Sequence, residues 1–310
     1  MIPTRDGFGH GLVAAAELDE RVVGLCADLT ESTRMEWFAK RFPDRFIELG
    51  VAEQNMATVA AGLANYGKIP FIASYAAFSP GRNYEQIRTT IALNNVPVIV
   101  VGAHAGISVG PDGATHQMLE DIAMMRAMPN MTVIVPCDAI EAHKATLALA
   151  KTGKPGYLRV GREKSPVVTT LETPFEIGKA QIHRQGKDVT IISCGILLYN
   201  ALVAADELSK DGIEATVINS PSVKPLDEHT ILDVAVQTGA IVTVEEHQVA
   251  GGFGSAVVEL LARKHPVPIE FIGVQDRFGE SGTATELIEH FGMGVSAIKK
   301  AVMNTVARKL

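Results

Sequence analysis

Cysteine is scarce: Cys26, Cys137 and Cys194 stand far apart in 310 residues. They form an odd set without metal-ligand spacing, and each lies in or beside an apolar run, so they read as three buried thiols in a reducing compartment. Basic clusters are also missing. The net charge is −7 with the signs mixed along the chain, which argues against nucleic acid or an anionic membrane as a partner. No uninterrupted apolar run approaches the ~20 residues of a membrane span. The opening "MIPTRDGFGHGL" lacks a basic segment followed by an apolar core, and a cytoplasmic location is expected. Low complexity and short repeats are absent too. Hydrophobic residues at 47% and charged residues at 20% describe a globular chain long enough for two domains.

Short apolar runs bounded by Gly, Pro or Asp alternate with longer amphipathic segments, the pattern of an α/β protein with mostly parallel strands. Strands are predicted at 22–27, 70–75, 96–103, 131–137 and 156–160, with helices near 9–19, 53–65, 82–93, 117–127 and 139–151. A stretch rich in Pro, Thr and charge breaks this rhythm, and a linker is placed at 166–180. A second alternation follows, with strands at 189–195, 215–220, 240–247 and 268–274 and helices near 197–210, 227–237, 253–264, 283–289 and toward the C-terminus. The expected fold is two tandem open sheets with helices on both faces, over 1–165 and 181–310.

The stretch "IELGVAEQNMATVAAGLANYG" places Glu53 in the first turn of a helix. A carboxylate there gains about 0.3–1 kcal/mol from the helix dipole, which is one reading of it. Steps of three and four from Glu53 reach Ala57, Ala60, Ala61 and Ala64 rather than Lys or Arg, a small-residue face that permits close approach of another backbone. A carboxylate carried into such an interface without a partner would resist ionising and suit proton donation. The following segments supply Phe78, Tyr84, His104, Asp112 and His116. In an open parallel sheet, ligands bind at loops on the carboxyl ends of strands.

The segments "LGVAEQNM", "YAAF", "GPDGATHQ" and "MMRAMPNMTVIVPCD" together resemble the pyrimidine-binding domain of the transketolase family of thiamine-diphosphate enzymes. From about residue 188 the chain resembles that family's C-terminal domain, so the resemblance spans nearly the whole sequence. It implies that Glu53 hydrogen-bonds N1′ of the cofactor's aminopyrimidine, favouring the 4′-imino tautomer that takes the thiazolium C2 proton. Phe78 and Tyr84 match family aromatics that wall the aminopyrimidine. Gly81 stands where well-known transketolases carry a further aromatic, so the stacking is expected to differ. Asp28 and Leu29 match the pair beside the thiazolium, and Asp112 and His116 the pair that contacts substrate hydroxyls. His104, Arg5, Ser32 and Arg162 match the groups that hold a sugar phosphate, a chemically reasonable cradle for a dianion. His104 and His116 are the expected proton-transfer groups.

Read without the family, each of these positions also has an ordinary structural role, such as a core ring, a helix cap or a solvated charge. The "GGFG" run lacks dinucleotide-fingerprint spacing and reads as a structural turn, and Glu245, Glu246 and His247 receive no catalytic role. The family's metal-binding "GDG" is absent from the sequence. The resemblance therefore implies the C-terminal subunit of a split transketolase. A separate N-terminal subunit would provide the diphosphate-binding domain and the Mg2+ ligands, the two assembling as a heterotetramer. Sugar phosphates are the implied substrates. A 1-deoxyxylulose-phosphate synthase and a 2-oxoacid dehydrogenase β subunit share parts of the pattern. A non-catalytic module of the same fold would have lost Glu53 or the phosphate cradle, and both are present.

Overall fold

The structure, a computed structural model, describes residues 1–309. Strand β1 (Ile2–Pro3) leads into helix α1 (Thr4–Leu18). The helix begins five residues earlier than the expected 9, so Arg5 stands in its first turn and not in a loop. Glycines at 7, 9 and 11 make this stretch look like a turn. They are there for close packing: a Cβ on Gly7 would come within 2.0 Å of the Ala139 carbonyl oxygen.

The first half continues with β2 (Val22–Cys26), α2 (Met35–Arg41), β3 (Phe46–Glu48), α3 (Glu53–Asn65) and β4 (Ile69–Tyr75). Next come α4 (Tyr84–Gln86), which runs on as a wider π-helical segment over Ile87–Ala92, and then β5 (Ile99–Ala103), α5 (Asp121–Ala127), β6 (Thr132–Ile134), α6 (Ala139–Leu149), β7 (Gly156–Arg159) and β8 (Lys164–Ser165). Helix α2 has no counterpart in the sequence reading. Strands β2 and β5 are buried at every position, as expected of parallel strands covered on both faces.

The second half contains β9 (Gln181–Arg184), β10 (Val189–Ser193), α7 (Leu198–Lys210), β11 (Ala215–Asn219), β12 (Ser222–Lys224) and α8 (Glu228–Thr238). It ends with β13 (Ile241–Gln248), α9 (Phe253–Lys264), β14 (Ile269–Val274), α10 (Ala284–His290) and α11 (Val295–Val306). The stretch between β8 and β9 holds no helix or strand.

Two open, mainly parallel sheets result, with helices on both faces. The second has the order β14-β13-β10-β11-β9, with only β9 antiparallel. The first has the order β12-β6-β7-β5-β4-β2-β3. Its outermost member, β12, comes from the second half and pairs antiparallel with β6, a crossing that a division at 165 and 181 does not foresee. The strand expected over 131–137 is also cut short. Beyond Ile134 the chain turns to the second half: the Val135 N–H donates to the Pro221 carbonyl at 2.7 Å, and its own carbonyl accepts from the Gly195 N–H at 3.1 Å. Apolar side chains of both halves, including Val135, Ile192, Ile218 and Phe253, belong to one buried cluster.

From the adjacent strands β2 and β4 the first sheet grows in opposite directions, to β3 on one side and to β5 on the other. The chain reverses there, and an open α/β sheet has its crevice at such a point.

Candidate functional site

Most of the predicted site residues lie at that crevice, at the carboxyl ends of the strands. Asp28, Leu29 and Ser32 follow β2, and Glu53 opens α3 after β3. Phe78 follows β4, while His104, Asp112 and His116 follow β5 and Arg162 follows β7. The loop after β2 is held from below by Glu48. Its carboxylate accepts from the Asp28 N–H at 2.8 Å, the Thr30 hydroxyl at 2.7 Å and the Gly50 N–H at 2.9 Å. Asp28 takes a left-handed backbone, φ 59°. Glu48 does not stand out in the sequence, because a polar residue at a strand end carries no distinguishing pattern.

Glu53 is the first residue of α3 and is 1% exposed. Its burial follows from the small-residue face: Ala57, Ala60, Ala61 and Ala64 are buried with it. Helical spacing offers Glu53 no Lys or Arg, and its cationic partner comes from elsewhere in the chain. Arg82 Nη1 donates to Oε2 at 2.7 Å, and the Ser74 hydroxyl makes a longer contact of 3.4 Å to Oε1. Arg82 comes from the turn after β4, outside helical spacing from Glu53, and its guanidinium lies 4.7 Å from the centre of the Phe78 ring.

The aromatic wall also differs from expectation. Phe78 lies 5.4 Å from His116, edge to face, and 6.0 Å from Tyr75, stacked. Tyr75 in turn stacks on His104 at 3.9 Å. Tyr84 makes none of these ring contacts and packs against the core of the sheet, and the ring that stands beside Phe78 is Tyr75, the last residue of β4. Gly81 cannot carry a side chain on this backbone, because a Cβ would come within 2.1 Å of the Ala77 carbonyl oxygen. The turn is closed at the position where a further ring was in question.

Cationic groups gather on the other flank of Tyr75. Arg5 Nη1 donates to the Ser32 carbonyl at 2.8 Å and lies 3.3 Å from His104 Nε2. Ser32 thus meets Arg5 through its backbone carbonyl. Arg162 Nη1 donates to the Val109 carbonyl at 3.1 Å and to Asp112 Oδ1 at 3.2 Å. His104 is 2% exposed with a left-handed φ of 52°. Burial first, and then the charges of Arg5, Arg162 and Arg34, push its imidazole down to about 3, so it is neutral at pH 7. Arg34 was not foreseen as part of this field; it is held by Asp6 at 2.7 Å. Burial and the Arg34 charge likewise lower the pKa of Arg5. Arg34 is paired with Asp6, and Arg162 with Asp112 and with Glu163 at 3.7 Å; among the described residues Arg5 makes no ion pair with a carboxylate, a place that an anionic ligand would suit. His104 Nδ1 and Arg5 Nε are buried without partners.

The comparisons with known proteins follow the same lines. Residues 1–167 match the transketolase pyrimidine-binding domain, and residues 178–298 match the transketolase C-terminal domain. The chain belongs to the transketolase family. A 6-deoxy-6-sulfo-D-fructose transketolase subunit of Clostridium sp. (strain MSTE9) is 40% identical over 305 residues, covering 98% of this chain and 95% of that one. An apulose-4-phosphate transketolase subunit of Phocaeicola vulgatus is 37% identical, covering 99% of both chains. A solved split-gene transketolase, described as an inactive β4 tetramer, superposes with a TM-score of 0.94 at 42% identity over 100% of each chain. Split transketolase subunits are therefore matched along nearly their whole length, and the family is thiamine-diphosphate-dependent.

The residues present fit an aminopyrimidine. A buried carboxylate, the orphaned Oδ1 of buried Asn83 and the flat faces of Phe78 and Tyr75 provide a polar edge and apolar walls.

Proposed function

We propose that this chain is the pyrimidine-binding and C-terminal subunit of a two-chain transketolase, moving a two-carbon ketol unit from a ketose phosphate to an aldose phosphate. What carries this reading is the placement of a buried carboxylate, Glu53, and an oxyanion cradle, Arg5, His104 and Arg162, on two sides of one ring-lined crevice.

Thiamine diphosphate supplies, when bound, the carbon nucleophile and electron sink that ketol transfer requires. Glu53 would hold the proton-bearing edge of the aminopyrimidine, with Phe78 and Tyr75 excluding water from its face. Asp28 and Leu29 would border the thiazolium side. Asp112 and His116 would orient sugar hydroxyls, and His116, which lies 2.9 Å from the Thr115 hydroxyl through Nδ1, would exchange a proton as the substrate carbon bond breaks or forms. His104, held neutral, can both donate and accept a hydrogen bond, and with Arg5 and Arg162 would bind the anionic end of the sugar. The matched relatives are named for a sulfonated and a phosphorylated sugar, and a cradle of two guanidiniums and an imidazole suits either oxyanion. The diphosphate, and the Mg2+ that would hold it, belong in this reading to a separate N-terminal subunit. The chain alone would then be inactive, as the solved β4 tetramer is described to be.

The deciding experiment co-expresses this chain with the N-terminal subunit and measures two-carbon transfer from xylulose 5-phosphate to ribose 5-phosphate, dependent on thiamine diphosphate and magnesium. Transfer only with both chains present supports the reading. Cofactor binding without transfer shifts it to another donor, 6-deoxy-6-sulfofructose and pyruvate being the next to try. No cofactor binding by a verified complex refutes it.

A further inference from the structure

The loop leaving β5 carries His104, Asp112 and His116, so its shape sets where three candidate substrate groups stand. Its own sequence does little to fix that shape. Residues 107–112 form 3-10 turns broken at Gly110, where φ is 81°. The restraint comes from the second half of the chain. Glu246, on β13 and 5% exposed, accepts the Ser108 N–H through Oε1 at 2.6 Å. Its carboxylate fills the space beside Gly106, where a Cβ would fall within 2.4 Å of it. Ile107 is buried in the second half's core with Leu197, Leu287 and Phe291. Gln117 closes the loop, its Nε2 donating to the Ile107 carbonyl at 3.2 Å, the Gly110 carbonyl at 3.1 Å and the Glu280 carbonyl at 2.9 Å.

Glu246 is itself braced from the first half. Arg159 Nη2 donates to the Glu246 backbone carbonyl at 2.8 Å, while its Nε donates to Asp121 Oδ2 at 2.7 Å. The Tyr157 hydroxyl donates to the same Asp121 oxygen at 2.6 Å. The brace is buried, and a carboxylate in such a place is retained at a desolvation cost.

We propose that Glu246 is a positioning residue for the substrate loop: its carboxylate fixes the Ser108 backbone, and with it the presentation of His104 and Asp112 to the anionic end of a sugar. This rests on the function proposed above and extends it to a residue of the domain that supplies none of the candidate ligand groups.

The test compares Glu246→Ala with Glu246→Gln, which keeps a carbonyl oxygen for the Ser108 N–H. In the two-subunit complex, Glu246→Ala should raise KM for the sugar-phosphate donor about tenfold or more, the loss of one hydrogen bond to a charged group. Half-saturation by thiamine diphosphate should be unchanged, and Glu246→Gln should recover most of the loss. An unchanged donor KM, an equal loss for cofactor and donor, or a Gln variant no better than Ala would overturn the proposal. Hydrogen exchange on this chain provides a readout independent of activity. Exchange over 104–113 should quicken in Glu246→Ala while α3 keeps its protection, and no quickening there overturns the positioning role. If the wild-type complex transfers no ketol unit, the functional reading fails, and the exchange result still decides what Glu246 does.

Discussion

Arg82 Nη1 lies 2.7 Å from Glu53 Oε2, a carboxylate 1% exposed facing a guanidinium whose side chain is 46% exposed. The buried acid of the crevice is thus already paired, by a residue that is half exposed to solvent. In the function proposed above, a ring nitrogen would take up that carboxylate only as the pair opens or is shared.

Removing one member strands the other. Arg82→Ala should cost about 1–2 kcal/mol at pH 7, less than a fully buried pair because Arg82 is half in water. A urea titration of Arg82→Ala, Glu53→Gln and the double variant gives the coupling directly, and additive losses would show that the pair contributes nothing. In the two-subunit complex, Glu53→Gln should lower transfer by about two orders of magnitude or more, a proton-transfer contribution, with the fold intact by circular dichroism.

His104 makes stability fall in acid. Its imidazole is held down to about 3 in the fold, against an ordinary value near 6.5. Protonation therefore favours the unfolded chain, and the stability is intact above about pH 6.5 and lost progressively as pH falls toward 3. At pH 4.5 the loss from this group is about 2–3 kcal/mol. His104→Gln should flatten that part of the pH–stability curve, measured by urea midpoints between pH 7 and 4.5, and an unaltered curve would assign the acid loss elsewhere.

Gly81 is predicted to tolerate no side chain. Gly81→Ala drives a Cβ against the Ala77 carbonyl oxygen and should cost about 1–3 kcal/mol as the turn shifts. Thermal melts would check it, and a neutral result would mean that the turn relaxes freely.

Asp121 and Arg159 form an ion pair with both side chains at most 6% exposed. Burial alone would raise the Asp121 pKa, but the Arg159 charge and the hydrogen bonds from Arg159 and Tyr157 outweigh it, and the net shift is downward. Asp121→Ala should leave a buried guanidinium unpaired and cost about 3–5 kcal/mol, read as a fall in the urea midpoint. A loss under about 1 kcal/mol would imply that water reaches Arg159.

Much of this was legible in the sequence because alternating apolar runs dictate two parallel sheets, and because Glu53 and the residues after β5 sit in distinctive local text. What was not legible depends on contacts between distant segments. Arg82 reaches Glu53 from another turn. Tyr75 turns a strand end into a wall, and the α1 glycines mark helix packing that reads locally as a loop. Glu245 shows the same limit. Its carboxylate, raised to about 7 chiefly by burial, accepts from the Phe253 and Gly254 N–H groups at 2.7 and 2.8 Å. The "GGFG" turn thus surrounds a carboxylate of this chain, supplied from a strand eight residues earlier.

The crossing of β12 into the first sheet bears on how the chain can be divided. A cut between β8 and β9 would turn β6 into an edge, its outward N–H and C=O groups left as a template for any passing strand. The other fragment would carry β12 with nothing to pair with, and both pieces would be prone to aggregate. In the intact chain β12 covers that edge, and each half caps the other's exposed hydrogen-bonding groups.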